Sequence, residues 1–358
     1  MKNVLFLSLH RPGRSPSQRF RFEQYFGYLE ANGYRCRFSW LLNERDDKFF
    51  YSRGKLFPKG WIVLKSVLKR LNETWHAADY DIVFVQREAF MLGTAFFETR
   101  FAKKTKLVFD FDDSIWLQNI SEANKMFSIF KDAGKTGKII RAAHLVIAGN
   151  RYLAGYARQF NPNVIIIPTT IDTDVYKPVL KKPQEKICIG WSGSITTIEH
   201  LETKLRALAE VKKKYDEKVY FKIIGDGNYY SEHLQTKGLP WIKDTEVEDM
   251  SEFDVGIMPL PDTQWAKGKC GLKGLQYMAL GIPTIMSPVG VNAEIISDGE
   301  NGFLAGSDEE WVAKLSLLIE SFELRQKLGE AGRKIVEEKY SVCANRHLYL
   351  ENFNRLTV

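Results

Sequence analysis

Two short stretches carry side chains whose types and spacing suit chemistry. In GKCGLKGLQYMALGIP (residues 268–283), two lysines stand among three glycines and a cysteine, ahead of an apolar run that holds one glutamine. Lys269, Lys273 and Gln276 fall at i, i+4 and i+7, one face of a helix if the helix begins that early, with Leu272, Leu275 and Ala279 on the neighbouring apolar face. Two ammonium groups beside the unpaired amides of a helix start form a site for a diphosphate, and a polar side chain one turn deeper can hold what the diphosphate carries. The plainer alternative is a pair of surface lysines on an ordinary helix. In DFDDSIW (110–116), Asp110, Asp112 and Asp113 crowd a strand end. Such carboxylates are costly to bury unpaired. They suit a metal, for which the sequence offers no further oxygen ligands nearby, or sugar hydroxyls; an aspartate capping a helix is the bland alternative.

Other loops repeat the pattern of strand, turn, helix. HRPGRSPSQRFRFEQ (10–24) has a Gly/Pro/Ser turn, Ser17 as an expected helix cap, and four arginines, of which Arg14, Arg19 and Arg21 join His10 and the later Arg87 as an expected anion- or acceptor-binding set. SPVGVNAEIISDGENGFL (287–304) turns at Gly290 into a helix expected near Val291–Asn292, with Glu294 in its first turn. IIGDGNYY (223–230) carries Gly-x-Gly after a strand, but Tyr230 stands where a dinucleotide fingerprint needs its third glycine, which argues against a nicotinamide site.

The elements that must position these loops are legible as near-continuous apolar runs: 3–9, 81–86, 106–111, 144–149 and 164–168 in the first half, then 186–193, 219–227, 253–260 and 283–288. Unbroken hydrophobicity implies strands buried on both faces, as in a parallel sheet covered by helices. Helices are expected at 198–213, 307–321 and 342–357. The reading is α/β, with two doubly wound, Rossmann-like domains facing a central cleft: residues 1–175, residues 176–340 after a polar linker at 172–185, and a last helix, 341–358, that crosses back to the first domain. Ligands of such sheets sit at the carboxyl ends of the strands, where the motifs above lie.

Of 358 residues, 44% are hydrophobic and 27% charged, as in a globular protein of two domains. The charge is uneven: residues 1–175 hold 27 Lys and Arg against 17 Asp and Glu, residues 176–358 hold 24 against 27. A basic first half points to an anionic partner. No nucleic-acid reading motif accompanies it, so nucleic acid is the least supported partner. Cys36, Cys188, Cys270 and Cys343 form no Cys-x-x-Cys pair, so neither disulfides nor zinc are expected, and a reducing cytoplasm fits. No signal peptide and no membrane-spanning run is read.

The block 253–304, with IIGDGN upstream, resembles the donor-binding half of glycosyltransferase family 4, and the organisation of the whole chain is similar to that family. The resemblance implies the GT-B fold and retaining transfer of a sugar from a nucleotide diphosphate sugar to a glycan or lipid-linked acceptor, with no metal and no other cofactor. It assigns donor binding to Gly193, Ser194, Gly225, Lys269, Cys270, Gly271, Leu272, Lys273, Gln276, Gly290, Val291, Asn292 and Glu294, and catalysis to Asp112 and Asp113, where the family often has His-Asp. The family's pair of glutamates falls here on Gly268 and Gln276, and the basic residues it places after the first strand of the second domain are missing from GWSGSITTIEHLETK until Lys204. Lys269 and Lys273 are then the replacement diphosphate clamp, and Gln276 an uncharged ribose contact. Two other readings stay open: a non-catalytic nucleotide-sugar-binding protein, and a sugar-nucleotide epimerase or hydrolase.

KLFPKGWIVLKSVLKRLN (55–72) places Trp61, Leu64, Leu68 and Leu71 in one helical stripe beside Lys65, Lys69 and Arg70. That pattern fits either an ordinary domain helix whose stripe faces the sheet or a helix lying on an anionic membrane surface. The basic first half favours the second, a peripheral enzyme on the inner face of the cell membrane.

Overall fold

The computed structural model describes residues 1–52, 54–117, 132 and 134–358. The chain divides into two units, Met1–Thr169 with Asn345–Val358, and Thr170–Ala344. The division falls a few residues ahead of the expected 175/176. The segment expected as a linker from 172 is held to the second unit: Arg333 donates to the carbonyls of Thr173 (3.0 Å), Ala279 (2.5 Å) and Tyr176.

In the first unit six strands form one sheet: β1 (Lys2–His10), β2 (Tyr34–Leu42), β3 (Ile82–Gln86), β4 (Lys106–Phe111), β5 (Leu145–Ala148) and β6 (Val164–Ile166). They lie in the order β2-β1-β3-β4-β5-β6, every pairing parallel. The inner strands are buried on both faces, as unbroken apolar runs require. Sequence reading missed β2. It is an edge strand whose Arg35 and Arg37 point to water, so charge interrupts its apolar run.

A buried ion pair ties this unit together. Arg21, in the helix Pro16–Arg21, meets Asp110 of β4 with both side chains excluded from solvent. Its Nη2 and Nε donate to the carboxylate (2.5 and 3.2 Å) and its Nη1 to the Ile167 carbonyl (2.6 Å). The Tyr349 hydroxyl, on the helix Val342–Leu356, donates to the Arg21 carbonyl at 2.5 Å. The helix that holds Arg21 is capped at Ser15, not at Ser17 as the sequence suggested, and no side-chain hydrogen bond closes it.

The helix Leu56–Trp75 reverses the usual order of faces. Lys59, Ile62, Ser66, Arg70 and Thr74 are buried, while Trp61, Leu64, Leu68 and Leu71 are exposed. Arg70 sets this orientation. Fully buried, it donates to the Ala89 carbonyl (2.6 Å), the Ser8 carbonyl (3.0 Å) and the Ser39 hydroxyl (3.1 Å), and pairs with Glu73. Three bonds to strands and a loop, with Glu73 holding the guanidinium from the same helix, outweigh the pull of the leucines toward the core.

The second unit holds β7 (Ile187–Ser192), β8 (Val219–Gly225), β9 (Tyr230–Ser231), β10 (Thr236–Pro240), β11 (Val255–Met258), β12 (Thr284–Met286) and β13 (Phe303–Leu304), in the order β13-β12-β11-β7-β8-β10-β9. All pairings are parallel except β9 with β10. Trp191, Leu208, Ile257, Trp311 and Leu315 anchor its core. The helix expected at 198–213 is two, Ile198–Glu202 and Leu205–Tyr215, parted where Lys204 turns away to the Gly306 carbonyl (2.7 Å) and Asp308 (3.0 Å). No described helix is long and apolar enough to cross a membrane.

Replacing Arg21 with Met strands Asp110 without a counter-charge in a dry site, and a loss of about 3–5 kcal/mol of folding stability is expected. Denaturant unfolding of the variant against the parent measures it; a shift within experimental scatter would show that the pair holds nothing together.

Candidate functional site

In the second unit the loops after β7, β8, β11 and β12 gather at the carboxyl edge of the sheet, and glycines let them touch. Gly225 has φ 147°, and a Cβ there would lie 2.7 Å from the Gly193 carbonyl oxygen, so the β7 and β8 loops approach only because that side chain is missing. A Cβ on Gly290 would meet the Lys267 carbonyl at 2.7 Å, which brings the β12 loop against the β11 loop. Ser194, exposed, opens the turn Ile195–Thr197 with a capping box between Ser194 and Thr197.

Gly271 decides how the opening stretch of lysines is displayed. Its φ of 72° is left-handed, so the helix starts one residue later, spanning Leu272–Ala279. Lys269 lies ahead of that break, and the expected common helical face with Lys273 does not form. Lys269 instead places its ammonium 5.3 Å from the centre of the Trp265 ring, and Lys273 places its own 5.5 Å from that of Trp191, the residue that leads into the β7 loop. Both lysines are half-buried, and Leu272 beside them is too; Cys270 is buried. The helix start at Gly271 has no side-chain cap.

Gln276, expected as a ribose contact, lies inside the unit. It is buried, and its amide nitrogen already donates to the Tyr176 hydroxyl (3.0 Å) and to Glu246 Oε1 (3.3 Å). Tyr176 donates to the other oxygen of Glu246 (2.9 Å), and Trp241 Nε1 to Oε1 (3.0 Å). Four residues from distant parts of the unit thus satisfy one another. Sequence reading missed Tyr176, Trp241 and Glu246 entirely; no local motif marks them. Asn292 is likewise fully buried. Its Nδ2 donates to the Ser287 carbonyl (3.1 Å), and its Oδ1 lies 3.6 Å from the Cβ position of Gly271. It ties the β12 loop to itself through Ser287, with Val291 buried next to it. Glu294 is exposed in the short helix Asn292–Ile295.

The first unit assembles a second cluster at the ends of β3 and β4. Arg87 adopts a left-handed conformation (φ 63°), and its amide donates to the Asp110 carbonyl (2.8 Å). That fold-back sets its Nε 2.8 Å from Asp112 Oδ1 and its Nη2 3.5 Å from Asp113 Oδ2. Gln86 also donates to Asp112, at 3.3 Å. Burial would raise the Asp112 pKa, but Arg87, Arg21 and the Ser17 hydroxyl together outweigh it and hold the carboxyl below its usual range. Asp112 is therefore a poor proton acceptor and a good fixed negative charge. The three aspartates of DFDD face guanidinium groups, Asp110 toward Arg21 and the other two toward Arg87. Among the described residues no group of three or more His, Cys, Asp or Glu is placed to hold a metal ion.

The rest of the expected basic set is divided. Arg21 is removed from any ligand by the ion pair inside the fold. His10 and Arg14 converge on Asp47, His10 at 3.6 Å and Arg14 at 2.6 Å, with Arg11 at 3.0 Å. Burial opposes ionisation of Asp47, but hydrogen bonds from His10, Arg14 and Arg11 win and keep its pKa well below the ordinary carboxylate range. Arg19 lies over the Phe20 ring at 5.0 Å.

Residues 186–321 match the family described as "Glycosyl transferases group 1". An uncharacterized glycosyltransferase of Methanocaldococcus jannaschii is 24% identical over 300 residues, 78% of this chain and 76% of that one. The N-acetyl-alpha-D-glucosaminyl L-malate synthase of Bacillus anthracis is 28% identical over 167 residues, 44% of this chain and 42% of that one. Among solved structures, sucrose-phosphate synthase from Thermosynechococcus elongatus superposes with a TM-score of 0.72 at 14% identity, covering 99% of each chain. Anabaena HepE in complex with UDP-glucose does so at 0.67 and 15%, covering 99% of this chain and 100% of that one. Both likenesses are of fold.

The buried network makes Gln276→Glu an informative change. It sets a second carboxylate against Glu246, and two such groups cannot both ionise cheaply. The melting temperature is expected to fall at neutral pH. The penalty is full where both carboxylates are ionised and disappears as pH drops below the ordinary glutamate value of about 4.3, where both are protonated. Melting curves across that range check it; a loss independent of pH would exclude charge repulsion as the cause.

Proposed function

We propose that this chain, a glycosyltransferase of the GT-B fold with a group 1 domain at residues 186–321, transfers a sugar with retention from a nucleotide diphosphate sugar to a glycan or lipid-linked acceptor. The observation that carries the donor reading is the uncapped start of the helix Leu272–Ala279, with Lys273 in its first turn and Lys269 just ahead of it, set among loops that glycines bring together. Amide groups of a helix start with two lysines near it in the chain suit a diphosphate. Gly193, Ser194, Gly225 and Gly290 line the approach with backbone, and the exposed Glu294 is assigned to the donor with them. HepE, solved with UDP-glucose, supports a nucleotide sugar as the donor class.

The chemistry asked of the protein is modest in this reading. The bond from the anomeric carbon to the diphosphate breaks with its electron pair leaving on the diphosphate. The acceptor oxygen bonds to the same face of that carbon, and its proton passes to the departing phosphate oxygen. The lysines and the helix start stabilise the charge that develops on the leaving group. Asp112 and Asp113, fixed by Arg87 in the first unit, orient a hydroxyl of the acceptor through hydrogen bonds. Arg87 fixes both carboxylates. No metal and no further cofactor takes part, and the work is done on the cytoplasmic side.

Lys273→Ala is expected to weaken UDP, ADP or GDP, whichever the parent binds best, by about tenfold to a hundredfold, the worth of one charge-assisted hydrogen bond. Titration calorimetry reads it, and unchanged affinity in Lys269→Ala, Lys273→Ala and the double variant would remove the clamp. Asp112→Asn is expected to lower kcat about a hundredfold with nucleotide affinity intact, as loss of orientation does. A chelator is expected to leave turnover unchanged; activity lost to it and restored by a divalent cation would make the reaction metal-assisted.

A further inference from the structure

The exposed face of the helix Leu56–Trp75 is more apolar than a solvated helix face has reason to be. Phe57, Trp61, Leu64, Leu68, Leu71 and Trp75 follow one another at spacings of 4, 3, 4, 3 and 4 and form one continuous stripe. Phe57 is 94% exposed, Trp61 66% and Trp75 78%. The stripe is not left over from a poor fit, because Arg70 and its four partners fix the helix with this side outward. A contiguous apolar stripe held in water by buried polar bonds marks a surface that is covered in use.

Charge decides what covers it. Between residues 48 and 72 the sequence has seven Lys and Arg and no Asp or Glu. Lys55, exposed, precedes the first turn of the helix, and Lys69, also exposed, flanks the stripe. Lys104 sits over the Trp75 ring at 5.7 Å, at the far end. Of the acidic side chains on and beside the helix, Asp46 is engaged by Lys65 and Glu73 by Arg70. The spacing alone would suit a second copy packed as a coiled coil. Two such copies would bring basic flanks together, which costs rather than gains. An anionic surface takes both the charge and the apolar stripe, and tryptophan near each end suits the boundary between headgroups and acyl chains.

We propose that this face of the first unit is a docking surface for an anionic lipid bilayer, with the helix lying flat along it. Its buried side is fixed to the sheet, so the helix enters only to the depth of its side chains. The basic residues the sequence offered for this task are only partly available: Arg70 is inside the fold, Lys65 is paired with Asp46, and Lys69 also donates to the Trp40 carbonyl at 2.6 Å. The apolar stripe carries the contact, and Lys55, Lys69 and Lys104 select the lipid.

The full chain mixed with vesicles of equal parts phosphatidylcholine and phosphatidylglycerol should float with them at low salt and be released as salt is raised. Trp61→Ser, Leu64→Ser and Leu68→Ser together should abolish flotation without lowering the melting temperature, because these side chains are already in water. Lys55→Gln and Lys69→Gln should each lower partitioning about fivefold. Three results overturn the proposal: a protein that stays soluble with these vesicles at low salt, equal flotation with pure phosphatidylcholine, or a dimer in sedimentation velocity that the triple variant dissociates, which would give the stripe to a second copy.

Discussion

Arg21 and Asp110 meet where water does not reach, and much of the first unit is arranged around keeping them together. A charge taken from water returns stability only if its hydrogen-bonding capacity is used up. Arg21 uses the Asp110 carboxylate and the Ile167 carbonyl, and Tyr349 closes the backbone behind it. The pair thereby fixes the end of β4, and the residues that follow that strand, Asp112 and Asp113, are delivered to Arg87 at a defined place. A side chain that looked like a ligand contact acts instead as the pin beneath the site.

The second unit reaches the same end by subtraction. Its loops meet because glycines stand at the points of contact, and the lysines are then displayed by aromatic rings, Lys269 by Trp265 and Lys273 by Trp191. The polar residues deeper in, Gln276 and Asn292, hold these loops rather than face outward. One unit positions charge with buried charge, and the other with missing side chains.

Most of the sheet was readable because parallel strands covered on both faces leave unbroken apolar runs. β2 escaped notice because an edge strand carries charge on its open side, and β10 because TKGLP is too polar to look like a strand. The loops of the donor region were found by glycine and lysine, yet their roles were only half legible. Whether Gln276 meets a ligand or Glu246 depends on Tyr176, 100 positions away, and Glu246, 30 positions away, and spacing along the chain holds no trace of that. The 56–75 helix was legible as amphipathic but not in its orientation. Periodicity tells that two faces differ; it was the buried bonds of Arg70 that decided which one turned inward.

The return of residues 345–358 to the first unit has a consequence for how the protein is made. Tyr349 and Phe353 are buried against Tyr25, Phe6 and Phe84, and Tyr34 donates to Asn354 at 2.8 Å, so part of the first unit's aromatic core is supplied from the far end of the chain. Domains ordinarily fold in the order they leave the ribosome. Here Thr170–Ala344 is a continuous segment, whereas the first unit's aromatic core is closed only when residues 345–358, beyond that whole segment, are in place.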